Sequence, residues 1–224
     1  MQSLFSGENP KLVLFDLDGT LVDSVPDLAD AVDRMLLSME KQPAGVDKVR
    51  QWVGNGAAVL VRRALTGKME STAVDDAEFE SAYKLFLQYY GEKTAENSCL
   101  YEGVEDCLQS LKEQSIKMGL VTNKPIQFTR SMLSGFALDT YFDVVIGGDS
   151  LPQKKPSPEP LLEAMKSCSS SPQETLMVGD SKSDIGAARA AGCPVVCVPY
   201  GYNHGEDIAN YNPDMIVDSL AELI

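Results

Sequence analysis

Aspartates directly follow two of the short apolar runs in this sequence. Asp16 and Asp18 come after the first run of the chain, and Asp180 and Asp184 come after a later one. Carboxylates that crowd together raise each other's pKa unless a cation cancels their charge. Mg²⁺ prefers one or two carboxylates together with water and phosphate oxygens. The pattern therefore predicts a magnesium site formed by Asp16, Asp180 and Asp184.

Other polar residues have the side chains that phosphoryl transfer needs. A carboxylate such as that of Asp16 can attack phosphorus and form an aspartyl-phosphate. Cations and hydrogen-bond donors must then surround the equatorial oxygens of the transferring group. Thr122, Asn123 and Lys155 follow other apolar runs and supply these groups, with Lys154 as the alternative to Lys155. The residues favour phosphoryl transfer through a covalent intermediate.

The apolar runs themselves are typical of strands buried on both faces of a parallel sheet, because they are short and do not alternate with polar residues. They lie at 11–15, 117–121, 144–146, 176–178 and 195–198, with a weaker one at 215–217. Helix-like stretches lie at 104–114, 157–165 and 183–191. This alternation predicts an α/β fold with a Rossmann-like, doubly wound parallel sheet. Ligands bind beyond the carboxyl ends of such strands, where the polar residues above fall.

One stretch interrupts this alternation. Residues 24–98 contain no convincing strand, and their apolar residues recur at helical spacing. The sequence therefore predicts an α-helical cap at 24–98, inserted into an α/β catalytic core formed by 1–23 and 99–224. The aromatic and Met residues of the cap are expected to form its apolar interior.

Composition narrows the classes of partner. The chain of 224 residues has 19 Lys and Arg against 33 Asp and Glu, for a net charge of −14. Such a surface repels nucleic acids and anionic lipids, so neither nucleic acid nor a membrane is an expected partner. A small anionic phosphate is still possible if a local cation receives it. The 5 cysteines form no CxxC pair, and 1–10 do not resemble a signal peptide, which favours a cytoplasmic protein.

Four motifs stand in a fixed order along the chain: Asp16-x-Asp18-Gly19-Thr20, Thr122-Asn123, Lys155-Pro156 and Gly179-Asp180-x-x-x-Asp184. Together they resemble the four motifs of the haloacid dehalogenase-like hydrolase superfamily, and the helical insert resembles its cap. A finer resemblance points to the bacterial members that hydrolyse 2-phosphoglycolate. It rests on further segments, among them Trp52-Val53-Gly54-Asn55-Gly56, Arg63-Ala64-Leu65, Thr122-Asn123-Lys124-Pro125 and Gly201-Tyr202-Asn203.

The resemblance implies a catalytic role for several matched residues. Asp16 would be the nucleophile. Asp18 would protonate the leaving oxygen and then deprotonate the hydrolytic water. Thr122 and Asn123 would hold phosphate oxygens, and Lys155 would pair with both Asp16 and the phosphoryl group.

The resemblance also implies a metal site and a cap contribution. The Mg²⁺ ligands would be Asp16, Asp180 and the backbone carbonyl of Asp18. Asp184 would bind the ion directly or orient its waters. The substrate-binding residues of the cap would be Gly54, Asn55 and Arg63.

The implied activity is a Mg²⁺-dependent phosphomonoesterase that converts 2-phosphoglycolate to glycolate and phosphate under a closing cap, in a monomer or dimer. Asp18 argues against the dehalogenase branch, which lacks that acid. A capped phosphatase or phosphomutase for another small phosphate is an alternative. A phospho-acceptor signalling domain is the alternative from another class, and the helical insert and Asp18 disfavour it.

Overall fold

A computed structural model describes residues 1–70 and 73–224 of the chain. The strands are β1 (Leu12–Phe15), β2 (Val22–Asp23), β3 (Cys99–Leu100), β4 (Lys117–Val121), β5 (Val144–Ile146), β6 (Thr175–Gly179), β7 (Val195–Cys197) and β8 (Met215–Ile216). The helices are α1 (Val25–Ser38), α2 (Val46–Trp52), α3 (Ala57–Thr66), α4 (Asp76–Glu92), α5 (Val104–Glu113), α6 (Ile126–Gly135), α7 (Glu159–Ser167) and α8 (Lys182–Ala191). Among the helices of these residues, none combines the length and apolarity needed to cross a membrane.

Six strands form a parallel sheet in the order β5-β4-β1-β6-β7-β8. The register places Val13 of β1 opposite Met118 of β4 on one side and Leu176 of β6 on the other. The chain thus starts at the centre of the sheet and builds outwards in both directions, which confirms the predicted α/β fold with a doubly wound parallel sheet. Helix α6 and the short strands β2 and β3 were not predicted.

Both faces of the sheet are covered because successive β1 side chains point to opposite sides. Val13 and Phe15 pack into one apolar cluster with residues of α5 and α6. Leu12 and Leu14 pack into a second cluster with residues of α7 and α8. All four β1 side chains are completely buried. This two-sided burial explains why the strands read as uninterrupted apolar runs.

Helices α1 to α4 supply most of a third apolar cluster, which includes Met35, Trp52 and Phe86. Two residues from the sheet-bearing part of the chain, Phe128 and Tyr202, join it. Residues 71 and 72, which fall inside the predicted cap, lie outside the described residues. Where this helical insert begins and ends, β2 pairs with β3 in antiparallel register. The chain therefore leaves the sheet-bearing part and returns to it at the same place.

Candidate active site

The carboxyl ends of three neighbouring strands bring the first candidate residues together. Asp16 and Thr122 continue the ladder past β1 and β4, because their backbone N–H groups donate to Val178 and Ile146 at 3.0 Å each. Asp180 follows β6 directly. Since β4, β1 and β6 are adjacent in the sheet, the side chains that follow them share one edge.

The turn after Asp16 allows a close approach between strand ends. Gly19 has φ +90°, and a Cβ there would overlap both the Asp180 carboxylate and the Tyr202 ring. Thr20, the next residue, donates from its hydroxyl to Asp180 Oδ1 at 3.0 Å. A glycine at this point therefore lets the β1 turn lie directly against Asp180.

Asp184 belongs to the first turn of α8, where its carboxylate caps the helix. Oδ2 accepts hydrogen bonds from the backbone N–H of Ser181 at 3.0 Å and from its hydroxyl at 2.7 Å. Oδ1 accepts from Lys155 Nζ at 2.7 Å. A negative charge at a helix N-terminus is favourable, so this position stabilises both the helix and the carboxylate.

Three carboxylates meet at the strand ends. Asp16, Asp180 and Asp184 are buried, and each offers one oxygen within 4.8 Å of the others. Burial raises the pKa of Asp16 to about 6, against the charge of Lys155 and with a further increase from Asp184. Burial and the charges of Asp184 and Asp16 raise the pKa of Asp180 well above its ordinary value. Ionisation of all three carboxyl groups would therefore place more negative charge here than Lys155 neutralises.

The donor set fits a hard divalent cation. All three groups are carboxylates, the ligands that Mg²⁺ prefers. Asp16 Oδ1 is buried without a hydrogen bond among the described residues, although Lys155 Nζ lies 2.9 Å away. Asp180 accepts hydrogen bonds from two uncharged donors, the Thr20 hydroxyl and the Tyr202 backbone N–H, and has no cationic partner among the described residues. A cation would relieve the repulsion that raises these pKa values.

Lys155 lies between two of these carboxylates. Its ammonium is 2.9 Å from Asp16 Oδ1 and 2.7 Å from Asp184 Oδ1. It also donates to the Val121 carbonyl at 2.6 Å. Burial favours the neutral amine, but the carboxylates of Asp16 and Asp184 outweigh it and raise the pKa of Lys155. Lys154 points elsewhere and donates to the Asn55 carbonyl at 2.9 Å.

Asp18 pairs with Lys124, which lies in the Thr122-Asn123-Lys124-Pro125 segment and to which the resemblance assigns no role. Lys124 Nζ lies 2.9 Å from Asp18 Oδ1 and 3.3 Å from Oδ2, and both residues are largely buried. Burial favours the neutral amine of Lys124, but Asp18 and the neighbouring Tyr90 outweigh it and raise its pKa. The available signal was its place directly after the Thr122-Asn123 pair at a strand end.

Thr122 and Asn123 have different partners. The Thr122 hydroxyl oxygen accepts from the Lys124 backbone N–H at 3.2 Å, so its own proton can still be donated. Asn123 Nδ2 donates to the Lys155 carbonyl at 3.1 Å and to the Gly54 carbonyl at 3.4 Å. The Asn123 side chain therefore links the loop of Lys155 to the helical insert.

The loop at Gly54, Asn55 and Gly56 lies against the sheet edge. Gly56 has φ +88°, and a Cβ there would lie 3.0 Å from Lys154 Nζ and 3.1 Å from the Asn123 carbonyl oxygen. Glycine therefore permits an approach that a side chain would obstruct. With the Asn123 and Lys154 hydrogen bonds, this loop fastens the insert over the carboxylates.

Arg63 stabilises the same loop through hydrogen bonds. Its guanidinium donates to the carbonyls of Trp52 and Met69 and, at 2.9 Å, to Asn55 Oδ1. The Arg63 side chain is buried and does not line the cavity beside Asp16. In this arrangement it orders the loop, while Gly54 itself faces the cavity.

A cavity with about 490 Å³ of open space, including its mouth, lies between the insert and the sheet edge. Its polar side is formed by Asp16, Asp18, Thr122, Asn123 and Lys124. Its opposite wall comes largely from the insert and is mainly apolar, with Leu28, Val53, Leu60, Phe86 and Tyr90, joined by Phe128. A small ligand in this cavity would contact the predicted nucleophile and the insert together.

This fold and this arrangement of carboxylates define a hydrolase class. The family described as haloacid dehalogenase-like hydrolase matches residues 13–198, so the chain belongs to that family. The match covers every predicted catalytic, phosphate-binding and metal-binding residue. It confirms the resemblance drawn from the four motifs.

Within this family, the chain is similar over its full length to proteins named phosphoglycolate phosphatase. The chain is 51% identical over 223 residues to phosphoglycolate phosphatase of Pseudomonas fluorescens Pf0-1, covering 100% of this chain and 82% of that protein. It is 47% identical over 216 residues to phosphoglycolate phosphatase of Nitrosococcus oceani, covering 96% of each. A crystal structure described as a predicted phosphoglycolate phosphatase from Haemophilus somnus superposes with a TM-score of 0.89 at 40% identity, covering 95% of this chain and 96% of that one.

Proposed function

We propose that this protein hydrolyses 2-phosphoglycolate to glycolate and phosphate through an aspartyl-phosphate on Asp16. The observation that carries the proposal is the position of Asp16: it lines the cavity, its Oδ1 is 2.9 Å from Lys155 Nζ, and one of its oxygens lies within 4.8 Å of an Asp180 oxygen. Full-length similarity to relatives named phosphoglycolate phosphatase supports the choice of substrate.

In the first half-reaction an Asp16 oxygen attacks phosphorus, and the bond from phosphorus to the glycolate oxygen breaks. Asp18 gives its proton to that leaving oxygen. In the second half-reaction Asp18 takes a proton from water, whose oxygen attacks phosphorus and frees the Asp16 carboxylate with release of phosphate. Lys155 and the Thr122 hydroxyl stabilise the charge of the phosphoryl oxygens.

We assign the metal site to Mg²⁺, held by Asp16, Asp180, the backbone carbonyl of Asp18, and Asp184 directly or through water. Bound there, the cation supplies positive charge for the phosphoryl oxygens and relieves the repulsion between the carboxylates. Lys155 keeps the Asp16 carboxylate oriented and ionised. Because Asp184 already accepts hydrogen bonds on both oxygens, contact through water is the arrangement that disturbs its partners least.

We further propose that residues 24–98 act as a cap on a core of 1–23 and 99–224. Their separate apolar cluster and the two-stranded root of β2 and β3 support this division. Closure would exclude bulk water from the phosphoryl group, and opening would release the products. The cysteines among the described residues are free, which supports a cytoplasmic enzyme. We keep a monomer or dimer as the proposed state of assembly.

The decisive experiment is phosphate release from 2-phosphoglycolate by wild-type protein and by Asp16→Asn, which keeps the size of the side chain but removes the nucleophilic oxygen. Wild-type protein should turn over many times, and the variant should be inactive. Near-wild-type hydrolysis by the variant would refute the nucleophile assignment. EDTA should also abolish turnover, and Mg²⁺ should restore it.

The same assay separates the alternatives when it is run over a panel of small phosphates. A phosphatase for a different compound would release phosphate fastest from that compound. A phosphomutase would keep the total ester phosphate constant. A phospho-acceptor signalling domain would release at most one phosphate per chain.

A further inference from the structure

The hydroxyl of Tyr90 faces the cavity and has no part in the proposed reaction. Tyr90 lies on α4 of the insert, is 1% exposed and lines the cavity beside Asp18. Its hydroxyl oxygen is buried without a hydrogen-bond partner among the described residues. Lys124 is close enough to offset part of the rise that burial causes in the pKa of Tyr90, but an ammonium can only donate a hydrogen bond. Buried tyrosine hydroxyls normally find a partner, and the proton of this one has no acceptor among the described residues, so it is available to a group that the chain itself does not supply.

Aromatic packing fixes the direction of this hydroxyl. The Tyr90 ring stacks on Phe86 at 5.7 Å between centroids and meets Phe128 edge-on at 5.0 Å. These contacts come from both the insert and the sheet-bearing part, so the ring is held where the two meet. The hydroxyl also stays protonated, because burial raises the pKa of Tyr90 to about 12. It is therefore a positioned hydrogen-bond donor at neutral pH.

A cation stands next to this donor. Lys124 Nζ lies 4.7 Å from the centroid of the Tyr90 ring and forms an ion pair with Asp18. Lys124 is the one cationic residue among those that line the cavity in the described part of the chain. The remaining insert residues on the cavity wall are apolar, so an anionic group on the substrate has a single favourable place to go.

The order of groups along the substrate determines which end meets this pair. Asp18 is the proposed proton donor to the ester oxygen, so its neighbours lie on the leaving-group side. In 2-phosphoglycolate a single carbon separates the ester oxygen from the carboxylate. The carboxylate must therefore lie close to Asp18, where Lys124 and Tyr90 are found. Arg63, by contrast, does not line the cavity, and its guanidinium donates to Trp52, Asn55 and Met69 instead.

We propose that the Tyr90 hydroxyl, together with Lys124, binds the carboxylate of the substrate and makes the site selective for small phosphomonoesters that carry one. The inference rests on the proposed function and adds Tyr90 and Lys124 as the residues that bind the leaving group. Tyr90 is then a substrate-binding residue delivered by the insert, and carboxylate recognition requires the closed arrangement in which α4 meets Lys124.

The test compares Tyr90→Phe with wild-type protein on two substrates. Ethyl phosphate has the skeleton of 2-phosphoglycolate with a methyl group in place of the carboxylate. The variant should lose about ten- to a hundredfold in kcat/KM on 2-phosphoglycolate, mainly through KM, because a hydrogen bond to a charged group is removed. Its kcat/KM on ethyl phosphate should stay within about twofold, since the ring still packs. An unchanged ratio between the two substrates would overturn the inference.

Tyr89→Phe is the matched control. Tyr89 lies on the same helix, but its hydroxyl bonds to Ser38 at 2.7 Å, away from the cavity. This variant should leave both substrates unaffected. A loss on 2-phosphoglycolate equal to that of Tyr90→Phe would assign the effect to the helix and would overturn the inference.

A separate readout distinguishes failure of this inference from failure of the proposed function. If wild-type protein releases no phosphate from 2-phosphoglycolate, the proposed function is wrong whatever Tyr90 does. Calorimetric titration with glycolate, in the presence of Mg²⁺, then decides the role of Tyr90. Weaker binding to Tyr90→Phe than to wild-type protein supports it, and equal or undetectable binding to both overturns it.

Discussion

Lys155 and Asp184 form an ion pair whose side chains are only 2% and 0% exposed, with Nζ 2.7 Å from Oδ1. The same ammonium faces Asp16 at 2.9 Å. Such a pair is costly to break from one side, because the charge that stays behind is buried and uncompensated. Lys155 therefore holds the structure of the site together as well as serving the proposed chemistry.

Replacing Lys155 with Met should destabilise the protein and abolish activity. Asp16 and Asp184 would then face each other without a cation, so the free energy of unfolding should fall by about 3–5 kcal/mol in EDTA. Urea denaturation followed by circular dichroism measures this change. Lys154→Met is the control, since Lys154 is half-buried and its ammonium donates to the Asn55 carbonyl rather than to a carboxylate. Equal destabilisation by both variants would contradict the assignment.

Asparagine substitutions at Asp180 and Asp184 should show that the two carboxylates contribute differently to stability. Asp184 caps α8 and pairs with Lys155, so Asp184→Asn should lower the melting temperature even without Mg²⁺. Burial, together with repulsion from Asp184 and Asp16, raises the pKa of Asp180. Asp180→Asn should therefore be at least as stable as wild-type protein in EDTA, yet gain no stability from Mg²⁺. Melting curves with and without the ion test both statements, and equal behaviour of the two variants would contradict them.

The strands and the carboxylates at their ends could be predicted from the sequence because both follow from local pattern and topology. A strand buried on both faces must be apolar throughout, as Leu12–Phe15 is. Residues that follow adjacent parallel strands must share an edge, which places Asp16 and Asp180 together without knowledge of any contact. Strands β2 and β3 could not be predicted, because each has only two residues and is too short to show a periodic pattern.

Side-chain directions could not be predicted in the same way. Lys124 and Asp18 are 106 residues apart, and nothing local to either indicates that they pair. Arg63 and the adjacent Arg62 look alike in the sequence, but only Arg63 turns inwards to the loop carbonyls, while Arg62 lies over the Phe79 ring at 3.8 Å. Such choices depend on packing between the insert and the sheet edge.

Arg63→Lys should weaken the loop that fastens the insert. Lysine keeps the charge but lacks the planar fork that reaches Trp52, Asn55 and Met69 together. We expect a rise in KM for 2-phosphoglycolate and a loss of about 1–3 kcal/mol in the free energy of unfolding, because buried carbonyls lose their donors. Steady-state kinetics and urea denaturation provide the readouts. Arg62→Lys is the control. A similar rise in KM for this variant would contradict the claim that the hydrogen bonds of Arg63 order the loop.

The raised pKa of Asp16 predicts how Mg²⁺ and pH act together. Without a cation the pKa of Asp16 is about 6, against 3.8 for an unperturbed aspartate. An aspartate with a raised pKa costs the fold stability when it is ionised, so the cost is full above about pH 6 and is relieved as the pH falls towards 4. Mg²⁺ binds the ionised carboxylates. The increase in melting temperature caused by saturating Mg²⁺ should therefore be largest near pH 8 and should shrink as the pH falls through about 6.

Melting curves in Mg²⁺ and in EDTA across this pH range test the linkage. Asp16→Asn cannot ionise at this position and removes one proposed ligand. Its Mg²⁺-dependent increase should therefore be smaller than that of wild-type protein at pH 8 and should change less with pH. Asp47→Asn, a substitution at an acidic residue in the first turn of α2, should behave like wild-type protein. A constant wild-type increase from about pH 8 to about pH 5 would show that protons and the cation do not compete for the same carboxylates.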